Sequence, residues 1–155
     1  MEEIEGNSGG EGMSTTSTSL ELIECKNKKR VLIIDNDEKV QRLLQRILED
    51  MGFETRTTWS GYEALGLLAS ERSDVLLVDD YMPDLHLNDS RERVGRLPTQ
   101  PWIVVMQAAS PTQDQVRRYA MLGATNVVRK HHIAEVSKTV SSCWIDYSLA
   151  KIYVN

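Results

Sequence analysis

Asp74-Val-Leu-Leu-Val-Asp79-Asp80-Tyr81-Met82-Pro83 is an apolar run that stops abruptly in two carboxylates and, three residues later, a proline. An unbroken apolar run of this length predicts a short strand buried on both faces, as in a parallel sheet. Pro83 ends any continuation and marks a loop. Carboxylates at the carboxyl end of such a strand lie where open α/β sheets carry their functional groups.

The pattern repeats on either side. Val31-Leu-Ile-Ile34 is a second run of this kind and ends in Asp35-Asn36-Asp37-Glu38. Val40, Leu43, Leu44, Ile47, Leu48 and Met51 then predict one apolar helix face, with Gly52 as its stop. Phe53 to Trp59 alternates as a strand near the sheet edge, and Ser60-Gly-Tyr-Glu63 has capping-box spacing ahead of a short helix through Leu68. Beyond Pro83, residues 84–100 are polar, with a short helix expected between Asn88 and Gly95. Trp102-Ile-Val-Val-Met106 predicts a fourth strand. Ser110-Pro111 reads as a cap and first-turn proline of a helix that turns Val116, Tyr119 and Ala120 inward and stops at Gly123. Asn126-Val-Val-Arg129 predicts a fifth strand, and a last helix from Ile133 carries Val136, Val140, Cys143 and Tyr147 on one side. Alternating strands and helices predict an α/β fold: a doubly wound, five-stranded parallel sheet with helices on both faces.

Residues 1–28 form a Gly-, Ser-, Thr- and Glu-rich tail expected to lack order, although Leu20, Leu22 and Ile23 offer a small apolar cluster. Residues 29–148 make the domain, and 149–155 a tail or helix end. A net charge of −5 over 155 residues leaves no basic field for nucleic acid. Cys25 and Cys143 fit neither a disulfide framework nor a zinc site, which points to a reducing compartment. No apolar run is long enough to cross a membrane, and the acidic N-terminus does not read as a signal peptide, so the expected location is the cytoplasm. Nothing after residue 150 is long enough to encode an output domain.

Asp35-Asn36-Asp37, Asp79-Asp80 and Lys130 all follow expected strands, and in a parallel sheet such ends converge. Clustered carboxylates repel unless a cation lies among them or one keeps its proton. Oxygen ligands of this kind suit Mg²⁺ beside phosphate, and a lysine neutralises phosphoryl oxygens as a point charge. The plain alternative is that Asp35 and Asp37 only cap the following helix. His131-His132 read as loop or cap residues, and Trp102, Trp144 and Tyr147 as packing residues.

With these residues in place, the region from Lys29 to about Tyr147 resembles the receiver domain of two-component response regulators. The likeness rests on Val31-Leu-Ile-Ile-Asp35-Asn36-Asp37, on Asp79 separated by two residues from Met82-Pro83, on Pro101-Trp-Ile-Val-Val, and on Gly123-Ala-Thr-Asn-Val-Val-Arg-Lys130. It implies a flavodoxin-like receiver fold in which Asp79 accepts a phosphoryl group from the phosphohistidine of a sensor histidine kinase or phosphotransfer protein. It also implies Mg²⁺ held by Asp35, Asn36, Asp79 and the backbone carbonyl of Tyr81, with Lys130 on the phosphoryl oxygens. The outcome would pass to a downstream protein partner through the helix after the fourth strand, the fifth strand and the last helix, without enzymatic turnover.

Several positions depart from the family pattern. Asn36 stands where a second acid normally binds the metal. The strand-end hydroxyl that contacts the phosphoryl group falls on Met106 counting from Pro101, or on Ala108 counting back from Gly123. The aromatic switch position is Val127, His131 replaces a proline, and His86-Leu87 replaces an Asp-Gly pair. A pseudo-receiver that binds partners without phosphorylation is the second reading. The third is a haloacid-dehalogenase-type phosphatase with Asp35 as nucleophile, opposed by the order of the acids and the lysine and by the lack of a suitable hydroxyl.

Overall fold

The computed structural model describes residues 28–85 and 92–153, with side chains as far as residue 143. The expected N-terminal tail, His86-Leu87, the stretch from Asn88 to residue 91, and the side chains of Trp144 and Tyr147 lie outside these residues. The elements are β1 (Arg30–Ile34), α1 (Glu38–Asp50), β2 (Glu54–Thr58), α2 (Gly61–Ser70), β3 (Val75–Asp79), β4 (Trp102–Gln107), α3 (Gln113–Met121), β5 (Asn126–Arg129) and α4 (Ile133–Tyr153). Residues 92–95 add one helical turn.

The strands form one parallel sheet in the order β2-β1-β3-β4-β5. The chain reverses its direction of travel across the sheet between β1 and β3. There the strand ends part and open a crevice. Side-chain alternation divides the core. Val31, Ile33, Val75, Leu77, Val104, Met106 and Val128 pack under α1 and α4, with Cys143 among them. Leu32, Ile34, Leu76 and Val78 face α2, Met82 and Val94. Residues that continue the first set past the strand ends are Asp35, Asp79 and Lys130, so a single face delivers all three.

Three local expectations need correction. In α1 only Val40, Leu44 and Leu48 are buried, whereas Leu43 is 46% and Met51 45% exposed. A helix lying on a sheet buries a narrow i, i+4 stripe, and residues a further 100° round its axis reach solvent. Helix α3 is capped by Thr112 rather than Ser110. The Thr112 side chain accepts from Gln115 N–H and the Gln115 side chain accepts from Thr112 N–H. This reciprocal pair satisfies two free N–H groups at once. Finally, α3 buries no residue: Val116 is 42% exposed, Ala120 is exposed, and Tyr119 is only half-buried. Helix α3 precedes edge strand β5 and packs chiefly against it, with little sheet to cover.

At α2 the box is half made. Ser60 accepts from Glu63 N–H, but the Glu63 carboxylate turns to the Thr58 hydroxyl at 2.6 Å.

Candidate functional site

Asp35 follows β1, Asp79 ends β3 and Lys130 follows β5. Lys130 Nζ donates to Asp35 Oδ1 at 2.8 Å and to Asp79 Oδ2 at 2.9 Å, and all three side chains are buried. One ammonium thus bridges two carboxylates from residues far apart in the chain. A buried charge without such partners would be costly enough to shift its protonation state.

Asp35 is the most enclosed. Its Oδ1 also accepts Asp37 N–H at 2.8 Å, while its backbone N–H bonds the Thr58 carbonyl at 3.1 Å. Gln41 Nε2 donates to the carbonyls of Asp35 and Thr58, at 2.5 and 2.9 Å, and pins the ends of β1 and β2 together. Burial pushes the Asp35 carboxyl up, more than Lys130 and the Asp37 N–H pull it down. Burial alone would lower Lys130, but its bonds to Asp35 and Asp79 outweigh it and hold the ammonium up.

Asp35 Oδ2 is buried with no hydrogen-bond partner. A partnerless carboxylate oxygen beside a second carboxylate fits a hard cation with oxygen ligands such as Mg²⁺, which keeps much of its own water. The protein's donor set is lean: among the described residues, no group of three or more His, Cys, Asp or Glu is placed to hold a metal. Asn36 is exposed at the mouth. Asp37 is the N-cap of α1, its Oδ1 accepting from Lys39 N–H at 2.9 Å and Val40 N–H at 3.4 Å. The capping alternative therefore describes Asp37, and Asp35 points into the cluster instead.

Tyr81 is exposed, and its N–H donates to Asp79 Oδ1 at 3.3 Å. Asp80 borders the cluster: its N–H bonds the Met106 carbonyl at 2.9 Å, and burial, then the charge of Asp79, pushes its carboxyl up. The Tyr119 hydroxyl is pushed up by its own burial and then by Asp80. Strand β4 runs to Gln107, and Met106 is the residue paired with Asp79 across the sheet. Gln107 is buried, its carbonyl accepts Lys130 N–H at 2.7 Å, and its Oε1 has no partner.

The loop after the acidic strand end is clamped to α2. Asp84 Oδ2 accepts from Ser60 Oγ at 3.0 Å, Gly61 N–H at 2.8 Å and Tyr62 N–H at 3.4 Å. The carboxylate sits on the free amides of a helix N-terminus, where negative charge is favoured. The Gly61 N–H first, aided by Ser60 and Tyr62, draws the Asp84 carboxyl below its usual range. A depressed folded-state pKa stabilises the fold above the unfolded value, and the gain is lost as pH falls through the folded value. Asp84→Ala is expected to cost about 1.5 kcal/mol at pH 7. The gap between variant and parent in urea unfolding should narrow between pH 7 and pH 3. An equal gap at both pH values would remove the charge from this account.

Asp84, Gln107 and Tyr119 were not singled out from the sequence for site roles. Asp84 gives no local signal because its partners lie more than 20 positions upstream. Gln107 carried a signal that was overlooked, a polar residue closing an apolar strand.

Comparison with known proteins matches residues 31–140 to the family described as the response regulator receiver domain. The Mycobacterium tuberculosis response regulator MprA is 39% identical over 88 residues, covering 56% of this chain and 38% of that protein. The chain spans well under half the length of the curated relatives it matches. Among solved structures, the receiver domain of a LuxO-type repressor protein from Vibrio parahaemolyticus superposes with a TM-score of 0.72 at 14% identity, over 83% of this chain and 98% of that one. A Burkholderia pseudomallei response regulator with a phosphorylated aspartic acid and a calcium ion gives 0.60 at 22% identity, over 79% of this chain and 75% of that one. At such identities these likenesses speak to the fold.

Proposed function

Since this chain belongs to the response regulator receiver domain family of two-component signalling, we propose that Asp79 is its phosphoryl acceptor. The donor in this reading is the phosphohistidine of a sensor histidine kinase or phosphotransfer protein. The Asp79 carboxylate oxygen bonds to phosphorus as the phosphorus–nitrogen bond to imidazole breaks, and the released imidazole takes up a proton. The observation that carries this is the Lys130 ammonium, 2.9 Å from Asp79 Oδ2 at the carboxyl edge of the sheet. A fixed cation there opposes the negative charge that gathers on a transferring phosphoryl group.

Asp35, Asp79, the Tyr81 carbonyl and the Asn36 side-chain oxygen are the groups that would hold Mg²⁺, with Asp35 Oδ2 the free buried ligand. When bound, that ion supplies further positive charge for the phosphoryl oxygens. Asn36 brings no charge of its own, so the affinity for Mg²⁺ is expected to be low. Members of this family are signalling domains rather than turnover enzymes. In this reading the domain works in the cytoplasm and passes its state to a downstream protein through α3, β5 and α4. Among the described residues, no helix is long and apolar enough to cross a membrane.

A second reading, a receiver-like module that binds partners without phosphorylation, draws on the lean metal site and on the absence of a hydroxyl at the end of β4. A phosphatase with Asp35 as nucleophile is disfavoured, because that side chain is fully buried and its Oδ1 is engaged by Lys130 and Asp37 N–H.

Titration with acetyl phosphate or beryllofluoride in millimolar Mg²⁺ separates these. Saturable, Mg²⁺-dependent modification is expected for the parent and none for Asp79→Ala. A silent parent protein would favour the phosphorylation-independent module. Hydrolysis of a phosphate ester that depends on Asp35 would favour the enzyme.

A further inference from the structure

Single apolar side chains scattered over a surface are ordinary, but aromatic rings gathered at one edge mark a contact for another molecule. Trp59 is 76%, Tyr62 73% and Tyr81 75% exposed. All three stand at the carboxyl edge of the sheet, beside the opening to Asp79. We propose that these rings form the docking rim for the protein that carries the phosphohistidine. The proposal rests on the reading of Asp79 as acceptor and names the surface that holds its donor.

Backbone contacts place each residue. Trp59 follows Thr58, whose carbonyl accepts from Asp35 N–H at 3.1 Å and from Gln41 Nε2 at 2.9 Å, so Trp59 borders the end of β1. Tyr62 lies in the first turn of α2, a helix that runs back from the same edge. Tyr81 N–H reaches Asp79 Oδ1 at 3.3 Å. The Asp84 carboxylate ties these segments together, accepting from Ser60 Oγ and from the amides of Gly61 and Tyr62. The rim thus follows one side of the mouth, from Asp35 to Asp79.

Its position says what covers it. Asp79 is 5% exposed, so a phosphohistidine reaches it only when the protein bearing it lies across this edge. An output partner or a second copy seated there would shut the donor out. Trp and Tyr supply large contact areas at low cost in side-chain entropy, and they dominate the centres of protein interfaces. A small donor such as acetyl phosphate needs no such rim.

The test therefore sets a protein donor against a small one. A panel of histidine phosphotransfer proteins, charged with phosphoramidate, is offered to the parent, and the fastest donor is carried forward. For Trp59→Ala/Tyr62→Ala, the donor concentration giving half the maximal rate should rise about tenfold, the scale of aromatic hot spots, with the maximal rate unchanged. Modification by acetyl phosphate in Mg²⁺ and the urea midpoint should stay at the parent values, since both rings lie largely in water. Met51→Ala, an exposed side chain at the far end of α1, should alter neither reaction. A double variant that saturates with the protein donor as the parent does overturns the proposal. So does an equal loss with acetyl phosphate, which would place the effect inside the acceptor site. Dimerisation of the parent that disappears in the double variant would give the rim to a second copy and overturn it too. A parent modified by acetyl phosphate but by no protein donor likewise overturns it. If acetyl phosphate leaves the parent unmodified, the acceptor reading fails first and this one falls with it.

Discussion

Lys130→Ala is expected to destabilise the domain by about 3 kcal/mol at pH 8, the scale on which breaking a buried ion pair acts. The size follows from what remains: Asp35 and Asp79, both buried, with their shared ammonium gone. Two buried negative charges then face one another without a cation, so the variant regains stability as acid neutralises them. The defect should therefore be smaller at pH 5 than at pH 8. At the alkaline end the sign runs the other way. The raised folded-state pKa of Lys130 stabilises the parent below the unfolded value of 10.5, and that gain is lost as pH rises through the folded value. The gap between parent and variant should therefore narrow as pH rises through that folded value.

Asp35→Asn supplies the contrast. Its carboxyl is held up by burial, so the ionised form is disfavoured in the fold at neutral pH. Removing that charge leaves Lys130 its bond to Asp79 and should be neutral or mildly stabilising. Guanidinium unfolding of the three proteins at pH 5 and 8 decides the matter. A Lys130→Ala protein as stable as its parent at pH 8 would show that the two carboxylates are not both charged beneath it.

Gly61→Val should cost roughly 2 kcal/mol, in the range of overpacked sites. A Cβ on Gly61 would lie 2.5 Å from Leu85 Cβ and 3.1 Å from Leu85 Cα, and the second of these belongs to the backbone. The chain from Met82 to Leu85 must then move away from α2. That would strain the Asp84 clamp and the Tyr81 amide at Asp79. Gly66→Ala is the control within the same helix, since a Cβ there meets nothing within 4 Å. Helix propensity alone should stabilise that variant by about 0.5–1 kcal/mol. Opposite shifts in thermal midpoint are the expected result. A destabilised Gly66→Ala would mean that α2 tolerates no change of any kind, and the contact with Leu85 would lose its special role. Beryllofluoride binding by Gly61→Val should weaken as well, because the moved loop carries a ligand of the proposed site.

The architecture was largely legible because it is written in local patterns. Apolar runs such as Val31-Leu-Ile-Ile34 and Val75-Leu-Leu-Val78 are too uniform for a one-sided strand, and the helical stripes between them require crossovers. Parallel order follows from those crossovers. The helix limits were less legible. Thr112 prevailed over Ser110 through a reciprocal pair with Gln115 that only the folded turn reveals, and the exposure of Val116 depends on how little sheet lies beneath α3.

By itself, the sequence determined which residues stand at the carboxyl ends of strands, and so that Asp35, Asp79 and Lys130 share one edge of a parallel sheet. Strand ends are local events, set where an apolar run meets a charge or a proline. Tertiary structure alone decided what those residues do to one another. Lys130 spans 95 positions to Asp35 and 51 to Asp79. Asp37 caps a helix while Asp35 turns inward, Asp84 closes a loop onto α2, and Met106 is the β4 residue set opposite Asp79. Apart from the local Asp37 cap, each of these depends on register and on packing between segments remote in sequence. A shift of one residue along a strand turns every side chain to the other face, and counting along the chain cannot detect it.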